Sequence, residues 1–574
     1  MCRPPVKSAG FLAAALFVSA VCAMRADGQR LAPAAESEQC HGERISGVSF
    51  LPTQRDITDR FGSLGRAVNA TVRSVQPATV SSVIERFMLL TSGDVCQEGR
   101  RVESERILRA QPYISDAVVR VRQADSGTVR LEIETIDEYV LFAEVWGLSG
   151  VPYGLEVGTG NFLGRAKSVS GLVEYGRGGT VGGGVHFTDY QAFGQPLTLR
   201  LDGGRRPLSN SWSVNLAHPF LTNFQETAWQ VGSRYSRGYY TFRDPVVHDV
   251  SIDYERRSWV LGGVKRVGEM PSAFRLGAFV TGESTDPLRT VAIRDSGVVP
   301  TTAPVLLQRY KAFESTRGGL AAAYRTYRLV QVRGLEALSA PQDVAMGLQV
   351  VGIGLRTLDM FAHDSPDWLA NVGVYAAAGT PSSIFQLSWG SETRFPIGTA
   401  APAQSTGSGR VAWSGKTSIG HTTTIGFEFA GESNARVPLQ LTFRGDDGLL
   451  GYRSFEEGGS RRTIARYEDR YTVPSPLKNV ELAVAGLFEG GRIYAGDAAY
   501  GVSTPWRYSA GIAIIAALPA GSKQSLRFDF GVPVSPGIER TLEVRISYSD
   551  RTSYFWREPG AIWSAREASS VGVP

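Results

Sequence analysis

The chain has 574 residues, of which 43% are hydrophobic, 20% charged and 10% aromatic, with 65 glycines. That length exceeds one ordinary soluble core and implies several units or one very large barrel. The net charge of +5 is small for the length, and no basic cluster interleaved with aromatics occurs, which argues against a nucleic-acid-binding stripe.

The first residues read as a leader. Arg3 and Lys7 supply a positive start, and GFLAAALFVSAVCA (10–23) an apolar run ending in small residues, with cleavage expected after Ala23. The run is too short for a membrane anchor. Ser19-Ala20-Val21 fits a lipoprotein site at Cys22 poorly. Cys2 and Cys22 would leave with the leader, so Cys40 and Cys96 remain, either as a disulfide or as two thiols. The C-x-x-C spacing of a zinc site is absent. No later apolar run is long enough for a spanning helix, so an exported chain of this kind is soluble or spans as a closed β-barrel.

After an N-terminal segment (24–43), residues 44–147 read as a small mixed domain. RISGVSF (44–50) predicts a strand. In PATVSSVIERFMLL (77–90), Val80, Val83, Ile84, Phe87 and Met88 form the apolar stripe of a helix, with Thr79 as its cap. ESERILRAQPYI (103–114) predicts a second helix ended by Pro112. The alternation of 117–136 around Asp125-Ser126-Gly127 predicts a hairpin. The order is β-α-α-β-β.

From 148 to 556 the pattern is strand after strand. In SLRFDFGV (525–532), Leu526, Phe528 and Phe530 alternate with Arg527 and Asp529. One run of this length without a convincing helix predicts a mainly β fold, a transmembrane antiparallel barrel of about 16 strands. Aromatics such as Tyr239, Tyr240, Phe242, Tyr548, Tyr554, Phe555 and Trp556 are expected at interfacial girdles, and 285–312 and 400–412 as long loops. A tail, 557–574, follows.

Several phrases carry a family resemblance. LLTSGDVC, SERILRAQPYISDAVVRV (104–121) and IDEYVLF (136–142) resemble a POTRA domain. YGLEVGTGNFLGRAKSV (153–169), LAHPFL (216–221), AGLFEGGRIYAGD (485–497) and LRFDFGVPV (526–534) resemble barrel segments of the BamA/TamA outer-membrane assembly superfamily. The passage 445–470, with Glu468 and Arg470 on the strand after it, resembles that family's inward-folding loop.

The resemblance implies an N-terminal periplasmic domain on an outer-membrane barrel that assists insertion or translocation of other polypeptides. It implies outer-membrane lipids, unfolded outer-membrane or secreted clients, and periplasmic or lipoprotein accessory proteins as partners, and no nucleic acid or cofactor. Gly451, Tyr452, Arg453, Ser454 and Phe455 would form the loop motif, with Arg453 meeting Glu489 on the lumen wall near Gly491. Ser454 stands where the family has glycine and Glu489 where it usually has aspartate. A two-partner-secretion exporter and a passive pore are the alternatives. No G-x-S-x-G, H-E-x-x-H or phosphate-loop motif points to an enzyme, and the six histidines are scattered.

Overall fold

The computed structural model describes most of residues 39–566; the stretches it leaves undescribed include 1–38, 55–65, 244–249, 359–365, 551–557 and 567–574. The expected leader and Tyr554, Phe555 and Trp556 therefore lie outside the described residues.

The small domain follows the expected order: β1 (Arg44–Thr53), α1 (Ser81–Glu85), α2 (Glu98–Arg109), β2 (Ile114–Gln123) and β3 (Thr128–Asp137). Its sheet runs β1-β3-β2, with β1 parallel and β2 antiparallel to β3. The apolar stripe converges as predicted, since Val83, Ile84 and Leu108 are buried against Leu131 and Ile133. Two expectations change. Thr79 does not cap a helix; its N–H and hydroxyl donate to the buried Asp137 carboxylate at 2.6 and 2.9 Å, so α1 is only five residues long with Val80 before it. The second helix begins five residues earlier than 103, at Glu98, where Arg101 closes on Glu98 at 2.6 Å. Cys40 and Cys96 are joined as a disulfide, fixing the segment ahead of β1 to the approach of α2.

Side chains of α2 also occupy the outer edge of β2. Arg101 donates to the Val119 carbonyl at 2.6 Å, Glu105 accepts the Val119 N–H at 3.2 Å, and Arg109 reaches the Ala117 carbonyl at 3.2 Å. An edge already paired this way cannot accept another strand there.

Among the described residues from Leu141 to Asp550, twenty strands form one antiparallel meander whose neighbour order closes on itself, with a four-residue strand, Gly297–Pro300, added beside Ser272–Arg294. This corrects the expected count of about 16 and the expected start at 148. Leu141–Leu148 is itself the first wall strand. Of the two stretches expected as long loops, 285–312 is strand to Arg294 and again over Gly297–Pro300 before a connection with a short helix, Pro304–Arg309, and 400–412 is strand from Gln404 onward. Their polar residues are the inner face of a wall, which reads like a loop when alternation is interrupted by glycine and serine. The first and last strands, Leu141–Leu148 and Glu543–Asp550, have eight residues each, whereas Ser272–Arg294 and Phe313–Arg333 on the far side have 23 and 21. The wall is low where the ring closes and tall opposite.

Its polarity is inverted relative to a soluble core. Leu320 is 70% exposed, Ile512 59% and Phe385 47%, all facing outward, while Arg317, Glu283, Arg394 and Glu428 are buried inside. Arg527 and Asp529 point inward between Leu526, Phe528 and Phe530, as their alternation predicted. Tyr240 and Phe242, expected in a girdle, instead face the lumen; Phe242 packs on Tyr310 and Leu306.

The small domain sits across one mouth of the ring, bonded to several interstrand turns. Asn161 donates to Thr79 at 2.9 Å and Gln191 to the Val83 carbonyl at 2.7 Å. Arg106 donates to the Leu221 carbonyl at 2.6 Å, Arg333 pairs with Asp116 at 3.5 Å, and the Lys523 N–H donates to Glu138 at 3.0 Å.

Two outcomes follow from this domain. Replacing Cys40 by serine opens a bridge spanning 56 positions, and chemical unfolding should show a loss on the order of 4 kcal/mol for the domain. Burial lifts the Asp137 carboxyl from its usual value of 3.8 to about 7, against the lowering effect of Thr79. The folded domain therefore binds that proton more tightly than the unfolded chain. Its contribution is full below pH 3.8 and fades as pH rises towards about 7. Asp137→Asn should flatten that decline, which is on the order of 4 kcal/mol, in unfolding curves taken across the same range.

Candidate functional site

The chemistry of this protein lies inside the ring. An inner wall of strands presents every second side chain to the lumen, and here those side chains are arginines and carboxylates in matched groups. Arg317 grips Asp367 through two bonds of 2.9 and 3.1 Å. Arg394 joins Glu283 at 3.1 Å, and Arg256 holds the same carboxylate at 2.8 Å. Glu428 lies among Arg410, Arg462 and Arg466 at 2.7, 2.9 and 3.6 Å. Arg527 bridges Glu468 and Asp529, both at 2.7 Å. A planar guanidinium suits this work because one fork satisfies two carboxylate oxygens.

Into this lumen folds the long connection between His421–Ser433 and Arg461–Val473. It carries the expected motif, and the structure places it against the wall. Gly451 adopts φ +90, which a side chain would strain, and a β-carbon there would lie 2.8 Å from Pro533. Tyr452 is fully buried, its hydroxyl donating to the Tyr508 carbonyl at 2.9 Å, with its ring 4.7 Å from that of Phe455. Leu450 fits over Gly531, where a β-carbon would approach it to 2.4 Å. Gly491 likewise leaves room for Phe443 and Leu449 of the loop, at 2.8 and 3.2 Å from its absent β-carbon.

The expected pair of Arg453 and Glu489 is corrected. Glu489 is on the wall, but the guanidinium that holds it is that of Arg466, at 3.1 Å on the neighbouring strand, and it also accepts the Leu450 N–H at 2.8 Å. Arg453 and Ser454 are exposed, and the Arg453 main-chain N–H goes to Glu543 of the last strand at 3.2 Å. The physical reason is distance along the loop. The close approach falls at Leu450 and Gly451, so the carboxylate binds backbone there and an arginine already fixed in the wall.

Two further occupants of the lumen were not legible as such. The turn 334–340 tucks inward, where Arg470 donates to the Leu335 carbonyl at 2.6 Å and Leu338 packs on Ala483 and Ile515. The segment after the last strand, read as a tail, returns inside as a short helix, Gly560–Ala565. Its signal was Pro559-Gly560 ahead of the apolar Ile562-Trp563, too brief for periodicity. Among the described residues no group of three or more histidine, cysteine or acidic side chains could hold a metal. No described helix is long and apolar enough to cross a membrane, which says nothing of strands.

The fold and site define a class: an antiparallel barrel, apolar outside and charged inside, with a plugged lumen and a small domain over one mouth. No family model matches the chain, and no curated protein matches it. Among solved structures it is similar to BamA from Haemophilus ducreyi lacking POTRA domains 1–3, at 13% identity and a TM-score of 0.34, covering 88% of this chain and 85% of that one. It is also similar to CdiB from Escherichia coli, at 11% identity and a TM-score of 0.42 over 82% and 73% of the two chains. CdiB from Acinetobacter baumannii is similar at 9% identity and a TM-score of 0.37 over 94% and 96%.

The loop's anchor is testable. Glu489→Ala removes the acceptor of both Arg466 and Leu450 and should weaken loop seating by about 3 kcal/mol. Protease cleavage within 444–457 should then rise on the order of a hundredfold. Arg453→Ala should change the rate by no more than a few fold; equal effects of the two would show that the anchor is misassigned.

Proposed function

We propose that this chain is an outer-membrane barrel of the BamA/TamA type that assists insertion or translocation of other polypeptides, with its small POTRA-like domain in the periplasm. No bond is made or broken in that work. The observation that carries the reading is the inverted polarity of the wall. A belt of Leu320, Ile512, Phe385 and Trp389 faces outward while Arg317, Asp367, Arg394 and Glu283 are buried within. In water such a belt would be an aggregation surface of far more than ordinary extent; in hydrocarbon it is the favourable face.

Two features support a gated role over a passive pore. The lumen is filled by the loop, the turn and the tail. The ring closes between its two shortest strands, each eight residues long, which at about 3.3 Å per residue barely cross the roughly 25 Å apolar band. Strands this short leave little length to separate, and parting them would offer backbone donors and acceptors to a client strand inside the bilayer. At the mouth, α2 blocks the outer edge of β2, and residues 93–96 bond the start of β1 at Arg44 and Ile45, so a client adding a strand to the small domain would use the later half of β1.

Depletion followed by an inventory of the outer membrane tests this. Loss of several outer-membrane proteins, each falling severalfold, is the expected result. Loss of a single secreted protein would instead assign the exporter role, and extraction of the mature chain from the envelope without detergent would end the membrane reading.

A further inference from the structure

We propose that the C-terminal segment 558–566 is an autoinhibitory plug, a displaceable ligand carried by the chain for a peptide seat on the inner wall. The inference rests on the proposed membrane-barrel reading, in which a closed lumen must open.

The seat is built from the wall and the loop together. Ile562 and Ala565 are buried among Phe313, Ala430, Val437 and Leu439, so the apolar side of the short helix lies against the inward-folding loop. Its other side is held by polar wall groups. Arg234 stands 4.7 Å over the Trp563 ring. Arg256 donates to the Ser564 carbonyl and, at 3.4 Å, to that of Arg566, thereby meeting carbonyls that a short helix leaves unpaired at its end. Ser408 donates to Glu558 at 2.9 Å, and Arg566 closes on the same carboxylate at 2.7 Å. Gly390 faces this clasp; a β-carbon there would lie 3.1 Å from the Arg566 guanidinium.

These contacts come from wall strands separated in sequence, and none belongs to a strand ladder. The plug can leave without breaking any hydrogen bond of the wall. It is a peptide bound through one aromatic, the buried Ile562 and Ala565, one internal ion pair, a wall hydroxyl and a few carbonyl contacts. That is the scale of a reversible ligand, since effective concentration rather than area keeps a tethered segment in place. A client segment with an aromatic beside an aliphatic residue and a nearby carboxylate would compete for the same groups.

The test compares the full mature chain with a truncation after residue 557 and with an intact-length Ile562→Asp/Trp563→Ala variant, in planar bilayers. Both variants should raise resting conductance at least threefold. A synthetic peptide of residues 558–574 added to the truncated protein should return it to the resting level, and the same peptide with both substitutions should not. In detergent, Ser408→Cys should react at least tenfold faster with a thiol reagent when the tail is absent; the disulfide-bonded Cys40 and Cys96 contribute no background. Equal labelling and equal conductance with and without the tail would overturn the plug. A chain that labels as expected but never enters a bilayer would overturn the membrane reading and leave the seat standing.

Discussion

Charge placed inside a closed wall has to be neutralised there, and that constraint organises the rest of the molecule. A wall strand alternates faces, so an apolar exterior obliges every second residue to serve the interior. With arginines and carboxylates in those positions, an isolated one would carry a large desolvation penalty. The wall meets this by grouping them across strands. Glu283 is shared by Arg256 and Arg394, which lie on strands distant in sequence, and Glu428 by Arg410, Arg462 and Arg466. Such groups fix register, because a slip of one residue would turn each partner out towards the apolar side.

The occupants of the lumen follow the same rule. Arg462 serves both Glu428 of the wall and Asp447 of the inward loop, at 2.9 and 3.1 Å. Arg466 divides itself between Glu489 and the carbonyls of Asp447 and Gly448. Loop and wall are therefore one electrostatic unit with a small apolar centre of Phe443, Leu449 and Tyr452. Removing the loop would leave the wall arginines with fewer acceptors, whereas the tail reaches the wall through an apolar contact, two carbonyls and the Glu558 carboxylate.

Much of the architecture was legible from period alone. The β-α-α-β-β order, the alternation of Arg527 and Asp529 with three apolar neighbours, and the disulfide candidates all stand where the pattern put them. The strand count was not legible, because Ser272–Arg294 and Gln404–Ser418 carry hydroxyls, glycines and charges that mimic a loop until their partners are known. Within the site, the loop's glycines and Tyr452 could be read, since close approach leaves a compositional trace. The partner of Glu489 could not: Arg453 and Arg466 are equally arginine in sequence, and only the register of Arg466 opposite Glu489 selects between them. Tyr240 and Phe242 were misplaced for a related reason, as an aromatic at a strand end suits a girdle or a packed lumen equally well.

The low wall and the docked domain are best understood together. A ring of twenty strands with tall members on one side holds its shape through their long ladders, while the two strands beside its closure are only eight residues long. The place where they meet is also a point where the small domain is tied. Tyr548 of the last strand donates to the Tyr139 carbonyl just ahead of the first at 2.9 Å, and Glu138 accepts from Ser522 and Lys523 beside it. A movement of the domain would act first on these two short strands. The same last strand contributes Glu543 to the backbone of Gly451 and Arg453 at 2.7 and 3.2 Å. Domain, seam and inward loop thus share one strand, and displacement of any of the three changes the hydrogen bonds available to the other two.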